Sequence, residues 1–116
     1  MEKVGKKSVT SRNIAFGKSV KASSYYNDDF RPAYAVDDNN GTIWKAKTMG
    51  QEWIEIDLGK VEPVRTVWTQ WEYGTHFYRY LVETSVDGKN WTVFSDKRKN
   101  RLAGSPMVDF GDTEAR

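Results

Sequence analysis

The stretch Glu52-Trp53-Ile54-Glu55-Ile56-Asp57-Leu58 alternates without a break, with Ile54, Ile56 and Leu58 on one side and Glu55 and Asp57 on the other. A period of two suits a strand with one face in a core and one in water, whereas a helix would scatter these residues around its axis. A second run, Tyr78 to Val86, places Tyr78, Tyr80, Val82, Thr84 and Val86 on one face, and Asp87-Gly88 then begins a tight turn into Trp91. Further β-rich segments separated by turn signals are Ser19 to Ser23, Val64 to Trp71, Trp91 to Phe94 and Met107 to Phe110. Arg31-Pro32-Ala33-Tyr34-Ala35-Val36 offers one helical turn, too short to stand alone. The pattern predicts an all-β fold, an antiparallel β-sandwich or a jelly roll.

A chain of 116 residues fits one domain. Met1 to Arg12 is polar and rich in Lys and Ser, the composition of a flexible basic tail or linker, which leaves residues 13–116 as the domain. No apolar run approaches the ~20 residues of a membrane-spanning helix, and no signal-peptide pattern is present in these residues. With 18 Lys and Arg against 16 Asp and Glu, the charge balance argues against nucleic acid as a partner. The basic run from Lys97 to Arg101 reads as a solvated loop after a strand. Cysteine is absent and His76 is the sole histidine, so neither a disulfide framework nor a Cys/His metal cluster can form.

Carboxylates near aromatics, Glu52, Glu55, Asp57 and Glu72, show no acid/base pairing, and no catalytic residues are expected. Aromatic residues are plentiful at 14%, more than a core of this size hides, so some rings belong on the surface. Trp68-Thr69-Gln70-Trp71-Glu72-Tyr73-Gly74-Thr75 runs an aromatic strand into a turn with a carboxylate, and alternation lets only one of Trp68 and Trp71 point inward. Tyr25-Tyr26-Asn27-Asp28-Asp29-Phe30 reads equally as an exposed aromatic loop or as core rings with a polar tip. Asp37-Asp38-Asn39-Asn40-Gly41-Thr42 is an oxygen-rich run that suits a hard cation such as Ca²⁺, and the same run makes a plain Asx/Gly turn without one.

Four ordered blocks carry a family resemblance. Asn13-Ile14-Ala15-Phe16-Gly17-Lys18-Ser19-Val20-Lys21-Ala22-Ser23-Ser24 is similar to the opening of the coagulation factor five/eight type C, or discoidin, domains. Ala35-Val36-Asp37-Asp38-Asn39-Asn40-Gly41-Thr42-Ile43-Trp44 resembles a second block, with Asp38 in place of its usual Gly. Trp53-Ile54-Glu55-Ile56-Asp57-Leu58-Gly59 and Ser85-Val86-Asp87-Gly88-Lys89-Asn90-Trp91 match the other two in order and spacing. Gln70-Trp71-Glu72-Tyr73 and Gly104-Ser105-Pro106-Met107 look like family 32 carbohydrate-binding modules appended to bacterial glycoside hydrolases.

The resemblance implies an eight-stranded antiparallel β-sandwich of jelly-roll type, galactose-binding-domain-like, with Trp44 in the core and ligands held by loops at one end. The family's usual strand after an alanine such as Ala115 is lacking in this sequence, which leaves a sheet edge open unless a partner completes it. A structural calcium ion would be held by the carbonyls of Tyr34 and Asn39, the carboxylate of Asp37, and the hydroxyl and carbonyl of Thr42. The implied function is a noncatalytic module that keeps a linked glycoside hydrolase near its glycan, in an extracellular, periplasmic or cell-surface setting. The alternative is a membrane phospholipid- or protein-binding discoidin domain, against which the missing cysteine pair of that branch argues. For the glycan site the candidates are Tyr25 or Tyr26, Glu72 with Tyr73, and Arg98 with Asn100, on loops after the first strand, after Trp71 and after Phe94.

Overall fold

The computed structural model describes residues 12–116, so the tail expected over 1–12 lies, Arg12 apart, outside the described residues. Among them the strands are β1 (Ser19–Ala22), β2 (Ile54–Asp57), β3 (Glu62–Thr69), β4 (Tyr80–Thr84), β5 (Thr92–Lys97) and β6 (Met107–Ala115). The helical turn expected near Pro32 is a 3-10 turn, Pro32–Ala35, preceded by another at Asp28–Phe30. Strands pair as three antiparallel ladders, β1 with β2, β3 with β6, and β4 with β5, and the molecule is the antiparallel β-sandwich that the alternation predicts.

Two strands outrun their sequence signal. β6 continues past Phe110 through Gly111, Asp112 and Glu114, which are weak β formers, because Glu62, Pro63 and Val64 of β3 pair with Ala115, Glu114 and Thr113. β5 likewise reaches Lys97, opposite Tyr80. A register shift between Val82 and Glu83 breaks the long alternation of β4, and Val86, expected on the same face as Val82, is exposed.

Turn chemistry explains why two of the blocks read so clearly. Asp57 accepts a hydrogen bond from the amide of Gly59 (2.8 Å), a residue at φ +88° where a side chain would be strained. In the other, Ser85 Oγ accepts from the amides of Asp87 and Gly88, while Asp87 accepts from those of Lys89 and Asn90. The amides of Asn90 and Lys89 hold the Asp87 carboxyl well below the usual range.

Inside the sandwich the ladders meet at a charge. Asp109 of β6, only 2% exposed, accepts from Tyr80 of β4 (2.6 Å) and Ser95 of β5 (2.6 Å), and Lys97 lies 3.1 Å away. Lys97 is therefore not part of a solvated loop: it closes a buried carboxylate on three strands. Burial alone would raise the Asp109 pKa, but the bonds from Ser95, Tyr80 and Lys97 outweigh it and hold the carboxyl below the usual range. Burial, and then the same carboxylate, push the Tyr80 phenol up. Beside Asp109, Phe94 covers Gly111 so closely that a Cβ there would lie 2.5 Å from its ring. The opposite face of β3 and β6 shows Trp68 and Phe110 to solvent, 67% and 74% exposed, so Trp68 is the outward member of its tryptophan pair.

Candidate functional site

Three loops converge at one end of the sandwich. Residues 24–30 bring Tyr26 and Phe30 edge to face, with ring centroids 5.9 Å apart. Their neighbour is Lys45, whose carbonyl accepts from the Tyr26 amide (2.7 Å) and whose amide donates to the Phe30 carbonyl (3.3 Å). Its ammonium lies 5.4 Å from the Phe30 ring and 5.9 Å from the Tyr26 ring, and 3.8 Å from a carboxylate oxygen of Glu72. Glu72 leads into Tyr73, which is half exposed and packs against His76 at 4.9 Å. Tyr26, Glu72 and Tyr73 thus belong to one surface, joined by Lys45.

Beneath that surface lies an aromatic footing. Trp71 stacks flat on Tyr78 at 4.4 Å and tilts against Tyr80 at 5.2 Å, and Tyr78 Oη accepts from the Tyr73 amide (3.2 Å). The buried indole N–H of Trp71 has no hydrogen-bond partner. Ser105 ties the loop from behind, accepting from the Trp71 amide (2.8 Å) and donating to its carbonyl (3.0 Å).

The remaining candidates sit differently. Tyr25 lines, with Tyr26, Ser23, Asn27 and Lys47, an open cavity of about 500 Å³ and makes no contact with Lys45 or Glu72 through a hydrogen bond or ion pair. Asn100 is turned inward and donates to the carbonyls of Tyr78 (3.0 Å) and Leu102 (2.9 Å), so its amide braces loops. Arg98 is forked onto Asp96 at 2.9 and 2.6 Å, which lowers the Asp96 pKa to about 2. Neither side chain joins the Tyr26, Glu72 and Tyr73 surface through a hydrogen bond or ion pair.

A second carboxylate sets the loop spacing. Glu52 accepts from Ser23 (2.6 Å) and Ser24 (2.9 Å) on one oxygen and from Thr48 (2.6 Å) on the other. The hydroxyls of Ser23, Thr48 and Ser24 lower its pKa to about 2. Trp44, expected deep in the core, is half-buried and donates its indole N–H to the Ser24 carbonyl (2.9 Å), so it too anchors this loop. Lys45 had no distinguishing signal: it follows Trp44 in a segment without alternation or a turn motif.

In the oxygen-rich turn, Asp38 has φ +55°, the left-handed region that explains the family's Gly and that Asp tolerates. Thr42 Oγ1 lies 2.5 Å from Asp37 Oδ2 and 3.1 Å from the Asn39 carbonyl. The Asn39 carbonyl also accepts from the Thr42 amide (3.2 Å) and Asp37 Oδ1 from the Asn39 amide (3.1 Å), so the turn is closed by its own hydrogen bonds, with oxygens of the kind a hard cation takes. Among the described residues no group of three His, Cys, Asp or Glu side chains gathers as a metal site, and such an ion would depend on carbonyls.

The family model of the F5/8 type C domain matches residues 19–116. Lactadherin of Bos taurus is 35% identical over 97 residues, 72% of this chain and 23% of that protein. The chain thus spans less than a quarter of the length of that relative. Among solved structures, chitosan-binding module 1 of a chitosanase/glucanase from Paenibacillus sp. IK-5 has a TM-score of 0.80 at 25% identity, covering 91% of this chain and 82% of the module. Module 2 of the same enzyme, solved with chitotriose, has a TM-score of 0.78 at 27% identity, covering 89% and 81%. The chain belongs to the F5/8 type C domain family.

Proposed function

We propose that the protein is a noncatalytic carbohydrate-binding module that seats a sugar ring at the surface built by Tyr26, Phe30, Lys45, Glu72 and Tyr73. The observation that carries this reading is the convergence of half-exposed aromatic rings on one lysine and carboxylate pair. A sugar offers a C–H face for the rings and hydroxyls for the polar groups, and the Lys45 and Glu72 pair supplies both a donor and an acceptor. The chitotriose-bound module of similar fold supports the ligand class, and that module's derivation from a chitosanase/glucanase supports a linked glycoside hydrolase. A shallow open site of this kind gives dissociation constants on the order of 0.1–1 mM.

Titration of galactose-, N-acetylhexosamine- and glucosamine-containing oligosaccharides by NMR tests the reading. The expected result is saturable shifts in residues 26–30, 44–46 and 72–76 that persist as salt rises. Salt-sensitive binding to anionic liposomes, with no response to any glycan, would replace it by the membrane alternative.

The Tyr34 and Asn39 carbonyls, Asp37 and Thr42 would hold a structural calcium ion whose role is stability. A ligand bound only by the folded state raises the melting temperature with its concentration. Identical melting curves in chelator and in millimolar calcium would remove the ion from this account.

A further inference from the structure

The outer faces of two ladders are built differently. That of β1 and β2 carries Lys21 opposite Glu55, 3.8 Å apart, with Asp57 beside them, the usual charged covering of a sheet. That of β3 and β6 carries rings: Trp68 stands opposite half-buried Val108, and Phe110 opposite exposed Thr66, so the two exposed rings lie on a diagonal of one ladder. Diagonal neighbours have backbones about 7–8 Å apart, within reach of a common ligand. Single exposed apolar residues are ordinary, whereas neighbouring rings on one face mark a contact surface.

The strip these rings begin does not stop with β3. Exposure goes on alternating past its end, with Thr66, Trp68, Gln70 and Glu72 outward and Val67, Thr69 and Trp71 half-buried. It therefore leads into the carboxylate of the loop-end surface, and the four residues from Trp68 to Glu72 span at most about 14 Å. Gln70 is steadied on the way, its Nε2 donating to Ser105 Oγ (3.0 Å), which leaves its amide oxygen for another donor. Thr66, Trp68, Gln70, Val108 and Phe110 include no charge, and at the far end Arg65 and Asp112 answer each other at 3.7 Å.

We propose that an extended, uncharged glycan chain lies along this strip, with one sugar ring at Glu72 and Tyr73 and a later ring of the same chain stacked on Trp68, toward Phe110. Given the sugar reading of the loop end, on which this rests, the ligand is a chain of several sugars rather than a terminal one or two. Each successive sugar presents a C–H face to an aromatic ring and hydroxyls to the Gln70 amide and the Thr66 hydroxyl. An anionic membrane finds little here to bind, since Arg65 is already engaged by Asp112. A second copy of the chain is a poorer occupant too, because two rings supply far less than the roughly 800 Å² per partner that a stable interface buries.

The test is NMR titration of the intact protein with dimers and hexamers of β-1,4-linked N-acetylglucosamine and of β-1,4-linked galactose. In a series that binds, the hexamer should bind about tenfold more tightly than the dimer, and the hexamer alone should shift the Trp68 indole N–H and the amides of residues 66–70 and 108–110. Trp68→Ala, at an exposed position, should cut the hexamer-to-dimer affinity ratio at least about threefold, whereas Tyr73→Ala should weaken both lengths and leave the ratio in place. A ratio that Trp68→Ala does not change, or hexamer shifts confined to residues 26–30, 44–46 and 72–76, would overturn the strip and leave the loop-end reading standing. No saturable binding at either length would remove both. Self-association that Trp68→Ala abolishes, with no effect of glycan length, would give this face to a second copy instead.

Discussion

Two carboxylates of this chain face a lysine, one inside the sandwich and one at its loop end. The Asp109 side chain is 1% exposed, lies 3.1 Å from Lys97 and takes two hydroxyl hydrogen bonds besides. Glu72 is 35% exposed, and its nearest cation, Lys45, is 3.8 Å away with no further donor among the described residues. Both oxygens of the inner carboxylate are engaged in joining β4, β5 and β6, so its charge is structural. The outer one is held loosely by a lysine that also leans on two rings, which leaves lone pairs available to a ligand.

Removing the inner charge should have the largest effect. Asp109→Ala leaves the ammonium of Lys97 and the hydroxyls of Tyr80 and Ser95 without their acceptor, and breaking such a buried pair costs about 3 kcal/mol or more. Urea denaturation measures it, and a loss below about 1 kcal/mol would put Asp109 in the same class as an exposed pair.

Acid should find the same group. A carboxyl held below its ordinary value in the folded state contributes stability that is present above that ordinary value, near 3.9, and is lost as the pH falls through its folded value. The urea midpoint should therefore fall below pH 4, and Asp109→Asn should start lower and fall less. Parallel curves for the two proteins would mean that the acid sensitivity resides in Glu52, Asp87 and Asp96, whose pKa values are lowered by their own hydrogen bonds.

The same contrast shows what can be read in a sequence. β2 was legible because Ile54, Ile56 and Leu58 alternate with carboxylates, and the turn after β4 because Ser85, Asp87 and Gly88 satisfy their own amides locally. Asp109 was not, since a carboxylate in Met107-Val108-Asp109-Phe110 follows the alternation of an exposed position, and only the pairing of β6 with β3 turns it inward. Lys97 was misread for a related reason: its charge run continues into exposed Arg98 and Lys99, and nothing local marks the residue that pairs inside. At the loop end, Tyr26, Glu72 and Tyr73 were legible as aromatics beside polar groups. Their connection through Lys45 is a tertiary fact, made by backbone hydrogen bonds from Lys45 to Tyr26 and Phe30 and by its ion pair with Glu72.

The outer pair predicts losses of binding rather than of stability. Tyr73→Ala should weaken glycan binding about tenfold, roughly 1.4 kcal/mol, by removing a ring face. Glu72→Gln should weaken it less, a few-fold, while shifting the urea midpoint by no more than an exposed ion pair is worth, below about 1 kcal/mol. If Glu72→Gln instead destabilises as strongly as Asp109→Ala, the loop carboxylate is a structural clasp like the inner one.

Arg98→Ala should do least, and for that reason it tests the boundary of the site. Its guanidinium is forked onto Asp96, two residues away, and raised in pKa by that hydrogen bond, so both partners are exposed and already satisfied. A sugar hydroxyl offers less to Arg98 than the carboxylate it would have to leave. Affinity for glycan should stay within about twofold of the parent, and stability within about 0.5 kcal/mol. An affinity loss as large as that of Tyr73→Ala would show that Arg98 leaves Asp96 when the ligand binds. In that case the loop after β5 closes onto the sugar, and the bound surface extends beyond the ring that Tyr26, Lys45, Glu72 and Tyr73 form in the free protein.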